Sequence, residues 1–344
     1  MDVEILDFDS ALAVARANQA QLSVLLGNGF SQAYSAKFAY RRLRDVTEME
    51  ELSVAKDSLF AHVGSDDFET VIDHLQRSAR LVDLYSPKSV ELRKSLENDA
   101  RVVKRGLVDA LTAVHPSLAS EIEVEQYRSA RAFLTNFKRI FTVNYDLLLY
   151  WAINQKSLEF TVQQRDGFNR VDGILTWQLP DDSAAMEIFY LHGAMHLYIQ
   201  DRKARKLEYR NGNLIDQLRL NLQNRKYPLV VTEGSREDKE ARISRSAYLR
   251  YCHRRLRRLT GVLFVHGWAL SDNDGHMLEA LTMKENRVDS IFVGLHGQDS
   301  DARDAVIMKS HALVRQRNAN SERPLNLHFY DSASSRVWER HPNC

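Results

Sequence analysis

Four short segments combine glycine with polar groups that can hold or cleave a phosphorylated ligand. In Leu25-Leu26-Gly27-Asn28-Gly29-Phe30-Ser31, an apolar run enters two glycines. Backbone without side chains can approach a ligand closely there, and a helix starting at that point offers free amides to phosphate. Position 32 is Gln, so the full G-x-G-x-x-G fingerprint is absent. There is also no lysine of the P-loop kind, which disfavours ATP hydrolysis by that device. The same glycines would equally serve a tight turn. In Thr142-Val143-Asn144-Tyr145-Asp146, two polar side chains follow a second apolar run. An Asx turn or a helix cap accounts for one of them. Alternatively Asn144 orients a ribose hydroxyl or a water, and Asp146 fixes its neighbours. Leu191-His192-Gly193 puts a histidine at the first polar position after a third run. Such a residue is either structural or a general base at neutral pH. Last, Gly267-Trp268-Ala269-Leu270-Ser271-Asp272-Asn273-Asp274 is a loop for lining a ligand, or one whose Asp272 or Asn273 caps a helix beginning near Gly275.

These groups need a scaffold, and the apolar runs supply it. Strands are expected at Leu22–Leu26, Arg139–Val143, Ile188–Leu191, Leu229–Thr232, Val262–His266, Ile291–Val293 and Leu325–Phe329. Helical segments between them argue for an α/β fold: a Rossmann-like, doubly wound parallel sheet of about six strands. Residues 33–132 show helical periodicity and no buried strand. Phe68, Val71, Ile72 and Leu75 recur at helical spacing, as do Val102, Val103, Leu107 and Leu111. This stretch is read as a helical insertion or subdomain after the first strand, with Asp66 or Asp67 capping the helix at Phe68. Residues 1–32 plus 133–344 would form the nucleotide-binding domain. Gly27, Asn144, His192 and Gly267 each end a strand. In a parallel sheet all four share the edge where such sheets bind ligands.

The 344 residues carry 47 Lys+Arg and 46 Asp+Glu, a net charge of +1, so no chain-wide basic footprint for nucleic acid exists. The composition, 44% hydrophobic and 27% charged, suits a globular protein with a full core. Cys252 and Cys344 are too few for a four-thiolate zinc site or a disulfide framework. The acidic N-terminus has no signal-peptide core, and no apolar stretch is long enough to span a membrane; a cytoplasmic location is expected. Residues 250–258, Arg-Tyr-Cys-His-Arg-Arg-Leu-Arg-Arg, form a basic amphipathic helix. Its cationic face is either simply solvated or a contact for nucleic acid or an acidic partner.

In this order the four motifs resemble the sirtuin-like NAD-consuming domains of bacteria, over about residues 20–295. An uncharacterised bacterial sirtuin-like group is the nearest likeness. It shares the Pro228–Gly234 strand and loop, the Lys239…Ile243…Tyr248-Leu249 run, and the Asp274-Gly275-His276 ending. The resemblance implies that Asn144 and His192 are the catalytic pair. It also implies that Gly27, Asn28, Gly29, Phe30, Ser31, Asp146, Gly267, Ser271 and Asp274 line the dinucleotide. Trp268-Ala269 depart from the family pattern, where an aromatic or His is followed by Ser. The cysteine quartet of the zinc-bearing protein deacylases is missing, which favours hydrolysis of NAD over deacylation. The expected activity is therefore NAD+ glycohydrolysis to nicotinamide and ADP-ribose in antiphage defence, with NAD as substrate and no metal. Expected partners are further copies of the chain, a helicase-type ATPase or an Argonaute, and nucleic acid at 250–258; a membrane is not among them. The alternatives are a non-catalytic module that binds NAD or ADP-ribose, and a nucleic-acid-processing effector subunit. The latter would lack a recognisable acidic metal cluster.

Overall fold

The computed structural model describes all residues except 1–2, 18–19, 40–43, 67, 155–162, 181–184, 209–212, 224–225, 227, 232–235, 298–300 and 340–344. Asp67, Thr232–Gly234 and Cys344 thus lie outside the described residues. Thirteen strands are present among the described residues: β1 (Ile5–Leu6), β2 (Leu22–Leu26), β3 (Arg139–Thr142), β4 (Gln164–Arg165), β5 (Phe168–Val171), β6 (Ile174–Trp177), β7 (Met186–Tyr190), β8 (Gly193–Gln200), β9 (Lys203–Lys206), β10 (Pro228–Val230), β11 (Thr260–His266), β12 (Arg287–Leu295) and β13 (Asn326–Asp331).

Eight of these form one parallel sheet in the order β1-β13-β12-β11-β2-β3-β7-β4. The expectation of about six strands is therefore corrected to eight. The two additions, β1 and β4, are two-residue edge strands, too short to show periodicity in sequence. Because β1 precedes β2, the long helical stretch follows the second strand and not the first. From β2 the chain first builds outward through β3 and β7, then returns to add β11, β12 and β13 on the other side of β2. The direction reverses between β2 and β11, and a crevice opens at such a reversal. Every residue of β2 is buried, as a strand covered on both faces requires.

A second correction concerns Leu229. Its run is β10, but β10 pairs antiparallel with β8 in a separate five-stranded sheet, order β10-β8-β9-β6-β5. This antiparallel sheet left little trace in the sequence. Strands β5, β6 and β9 are half exposed and carry Arg, Lys, Asn and Thr, so they form no apolar run. The two sheets are continuous at one point, because β7 ends at Tyr190 and β8 begins at Gly193.

Between β2 and β3 the regular elements among the described residues are helices, the longer ones at Lys56–Val63, Phe68–Tyr85, Val90–Val114 and Val124–Leu134. Phe68, Val71, Ile72 and Leu75 are buried, as their spacing predicts. Asp66 pairs with Arg44 at 2.5 Å. The border expected at residue 132 falls inside the Val124–Leu134 helix. That helix packs on the parallel sheet: Phe133 lies 5.2 Å from Phe8 and 4.8 Å from the His266 ring. No described helix is long and apolar enough to cross a membrane.

Near the C-terminal end of the described chain, Trp338 is 2% exposed and contacts Phe30, Tyr34 and Tyr127 edge-on at 5.4, 5.6 and 6.0 Å. It thereby fastens the Asn28–Tyr34 helix, which follows the first glycine loop, to the Val124–Leu134 helix. Trp338→Ala should cost about 3–5 kcal/mol of unfolding free energy in urea titration. A loss below about 0.5 kcal/mol, within the range of an ordinary surface change, would show that this clasp does not hold the two helices.

Candidate active site

The parallel sheet puts Gly27, Asn144, His192 and Gly267 just beyond the carboxyl ends of β2, β3, β7 and β11. These four strands are consecutive neighbours in the order β11-β2-β3-β7. At the crevice the glycine loops of β2 and β11 touch backbone to backbone. A Cβ on Gly29 would lie 2.5 Å from Gly267 Cα, and one on Gly27 would lie 2.5 Å from the Gly267 carbonyl oxygen. Gly267 also has φ 68°, a conformation open to glycine and strained for other residues. The Gly29 amide donates to the Gly267 carbonyl at 2.8 Å, the Gly27 amide to His266 at 2.9 Å, and the Phe30 amide back to Gly27 at 3.0 Å. Three amides expected to face pyrophosphate are thus bonded to protein carbonyls. Phe30 is fully buried against Trp338, and the Asn28 side chain donates to the Phe38 carbonyl at 3.1 Å.

Next to this junction is a closed polar network. Asn144 Nδ2 donates to the Gly27 carbonyl at 2.9 Å and to Ser31 Oγ at 3.0 Å. Ser31 in turn donates to Asp146 Oδ2, and Asp146 Oδ1 accepts from the Leu148 amide at 2.9 Å. Thr142 Oγ1 accepts from the Asn144 amide, the Asx-like turn that explains why the strand stops there. Asn144, Ser31 and Asp146 are all buried. Burial pushes the Asp146 carboxyl up from its ordinary pKa, against the pull of the Ser31 hydrogen bond. These residues fix one another's positions, so Asp146 orients Ser31 and the turn.

The second cluster is centred on His192, which occupies the two-residue passage from the parallel to the antiparallel sheet. Gly193 makes that passage possible: its φ is 76°, and a Cβ there would lie 1.8 Å from the Leu229 carbonyl oxygen of β10. His192 Nε2 faces His276 Nε2 at 3.0 Å and lies 3.7 Å from Asp274 Oδ1. Asp274 is held at both oxygens, by Lys239 Nζ at 3.3 Å and by Trp268 Nε1 at 3.0 Å. His253, from the basic helix Ala247–Arg257, donates its Nε2–H to the Leu191 carbonyl at 2.9 Å, which leaves Nδ1 unprotonated in the neutral ring. Tyr145 stacks against His192 with ring centroids 6.3 Å apart, linking this cluster to the Asn144 network.

Burial, then Lys239 and His253, hold His192 well below the ordinary imidazole pKa. Burial, with His192 and His253, pushes His276 down to about 2. Burial takes His253 to about 4. The cluster is therefore neutral near pH 7, with lone pairs available to accept a proton.

Sequence reasoning singled out His192 and Asp274 but did not place His276, His253 and Lys239 in the site. Lys239 and His253 come from two successive helices, Arg236–Arg245 and Ala247–Arg257, and only packing turns them towards one point. The adjacency of Asp274 and His276 was the one signal in the chain. Trp268, a departure from the family pattern, acquires a definite part as the donor to Asp274. Leu270 in the same loop is fully buried at φ 48°. Ser271, half-buried, shapes the loop through its backbone: its carbonyl accepts from the Asp274 amide at 2.9 Å.

Ligand atoms of His192, Asp274 and His276 lie within 4.8 Å of one another, close enough to consider a metal ion. Their donor types suit zinc or another transition ion. However, Lys239, 1% exposed, already pairs with Asp274. A divalent ion would sit beside that buried cation, so the arrangement fits proton handling better than metal binding.

Several buried histidines make stability depend on pH. Burial lowers His192 and His196 strongly, His115 to about 3 and His266 to about 4, with His276 as above. Their folded pKa values lie below the unfolded value of 6.5, so the unfolded chain takes up the protons first. Stability is thus fully present above about pH 6.5 and falls as pH drops below it, by about 1.4 kcal/mol per pH unit for each histidine that stays neutral in the fold. Thermal or urea unfolding at pH 7, 6 and 5 should show a steep decline. Equal stability at pH 7 and pH 5 would contradict neutral burial.

No curated protein matches this sequence. A family model does, along residues 24–338, a span that takes in the parallel sheet except β1 and the first two residues of β2, and the entire site just described. The chain belongs to that family, the domain of unknown function DUF4917.

Proposed function

We propose that the protein hydrolyses the nicotinamide–ribose bond of NAD+. The observation that carries this reading is the strand order. The inner six strands run β7-β3-β2-β11-β12-β13, the spatial order 3-2-1-4-5-6 of dinucleotide-binding sheets. A neutral, buried histidine and a fixed asparagine stand beside its crevice. The sirtuin-like reading of the sequence motifs points the same way. Antiphage defence and a cytoplasmic location are parts of the same proposal.

In this reaction the C1′–N bond breaks, and its electron pair leaves on the nicotinamide nitrogen, cancelling that ring's positive charge. Positive charge grows on the ribose as water attacks C1′. The ring nitrogen of His192 that is not bonded to His276 accepts the proton that the water, or a ribose hydroxyl, releases. His276 then shares a hydrogen bond with the protonated ring, and the Asp274 carboxylate 3.7 Å away stabilises it. Asn144 orients the ribose or the water, and Ser31 and Asp146 hold its amide in place. Gly27, Gly29 and Gly267 serve the dinucleotide by letting the two loops meet at the crevice. No step calls for a metal.

Unrestrained hydrolysis of NAD would harm its own cell. Control through assembly therefore belongs to this proposal, with further copies of the chain or a defence partner such as a helicase-type ATPase or an Argonaute.

His192→Ala should reduce nicotinamide release from NAD by about 10²-fold or more, with the circular dichroism spectrum unchanged. Asn144→Ala should reduce it comparably. Absence of nicotinamide release by the wild-type chain, dilute or concentrated, would overturn the reading. Prolonged dialysis against a chelator should leave turnover as it was. If turnover vanished and returned with added zinc, the His192–Asp274–His276 group would be a metal site instead.

A further inference from the structure

Beside the histidine cluster lies a cavity of about 980 Å3. The helices Arg236–Arg245, Ala247–Arg257 and Gly275–Thr282 wall it, with Trp177 of β6 on another side. His253 and His276 are among its lining residues, so it opens onto the groups that surround His192. The cationic face of the basic helix also faces this space: Arg250, Arg254, Arg257 and Arg258 line it. Their spacing repeats at four, three or four residues, which places them along one side of a helix. The opposite side, with Tyr248, Leu249, Cys252 and Leu256, is buried in the core. The arginines, all four exposed, therefore border a concavity along one side of the helix.

We propose that this groove binds a nucleoside diphosphate, and that in the intact substrate it holds the ADP half of the dinucleotide. The identity of that substrate rests on the NAD reading above; the phosphate chemistry of the groove does not. Four observations converge on it. The volume falls within the range of small-ligand sites and is ample for a nucleotide. The four arginines outnumber the lining glutamates Glu240, Glu279 and Glu285, and guanidinium forks match phosphate oxygens. Trp177 adds an aromatic side chain to the lining, where the Tyr251 ring is already covered by Trp177 at 5.5 Å and by Arg254 at 5.6 Å. Finally, His276 lines the cavity and is 6% exposed, and its buried Nδ1 is a polar position without a hydrogen-bond partner. The glycine loop offers no equivalent, because its Gly27, Gly29 and Phe30 amides are bonded within the protein. Phosphate recognition thus moves from the loop after β2 to the helix before β11.

The test is calorimetric titration of ADP, and separately of inorganic pyrophosphate, into the full chain. Wild type is compared with Arg254→Glu/Arg257→Glu and with Arg315→Glu, an exposed control on the helix Asp301–Asn320. Both groove arginines are exposed, so the double variant should fold. It should bind ADP about tenfold or more weakly than wild type, while the control binds normally. In nicotinamide-release assays the double variant should raise KM and leave kcat near wild type. His192→Ala should keep ADP affinity and lose turnover. Arginine-dependent ADP binding in a chain that cleaves no NAD would sustain the groove and end the hydrolase reading. NAD cleavage with unchanged KM in the double variant would end the groove proposal and leave the hydrolase reading standing. Absence of ADP binding at millimolar concentration would overturn the proposal. So would arginine-dependent binding of a single-stranded oligonucleotide without ADP binding, which would make this face a nucleic-acid surface.

Discussion

At the carboxyl ends of β2 and β11 two loops meet with no side chain between their backbones. Gly27 and Gly29 on one side and Gly267 on the other leave no space for a Cβ. This contact fixes the crevice where the chain changes direction across the sheet. Its consequences run along the chain in both directions. Trp268 follows Gly267 directly and hydrogen-bonds Asp274, so the position of that carboxylate depends on the loop meeting. Asn144 donates to the Gly27 carbonyl, so the turn after β3 is referenced to the same loop. A methyl group at any of the three glycines would push apart elements that each carry part of the site.

A buried ion pair does the corresponding work on the other side of His192. Lys239 and Asp274 are taken out of water together, and burying such a pair costs about several kcal/mol per ion before their attraction and hydrogen bonds offset it. The Trp268 hydrogen bond contributes to that offset. The pair also supplies the electrostatics of the cluster: Lys239 disfavours protonation of His192 and His276, while Asp274 favours it for His276 and His253. Three neutral imidazoles within a few ångströms are then a consequence of burial and of one fixed cation. Proton uptake at His192 becomes favourable when something nearby leaves, moves or becomes negative, which a phosphorylated ligand in the adjoining groove would provide.

The antiparallel sheet explains how a histidine comes to stand at this position. β7 belongs to the parallel sheet and β8 to the antiparallel one, and His192 lies between them, with its carbonyl accepting from the Val231 amide. A residue at such a junction is pinned by two sheets, so its side chain is aimed by the backbone and not by a flexible loop. The basic helix is anchored at the same junction. Arg255 bridges to Glu187 of β7 at 2.6 Å, and His253 reaches the Leu191 carbonyl.

The sequence alone determined the parallel strands β2, β3, β7, β11, β12 and β13, because continuous apolar runs reflect burial on both faces. It also determined which residues stand at their carboxyl ends, because strand termination is local: glycine, or an Asn-Asp turn, ends the run. It correctly placed helices between β2 and β3, where the apolar period is that of a helix. The tertiary structure decided the rest. Two-residue edge strands and half-exposed antiparallel strands bury too little to leave a pattern. The pairing partner of β10 is a matter of register between distant segments. His276, His253 and Lys239 converge on His192 only through helix packing, which no spacing within one helix encodes. The amides of the glycine loop read as free donors in the sequence, whereas in the fold Gly27 bonds to His266, Gly29 to Gly267 and Phe30 back to Gly27. The arginines of 250–258 read as a solvated face, and only helix packing set four of these exposed side chains along the border of a concavity. Local chemistry is written in the order of residues, whereas concavity and convergence arise from contacts between segments far apart in the chain.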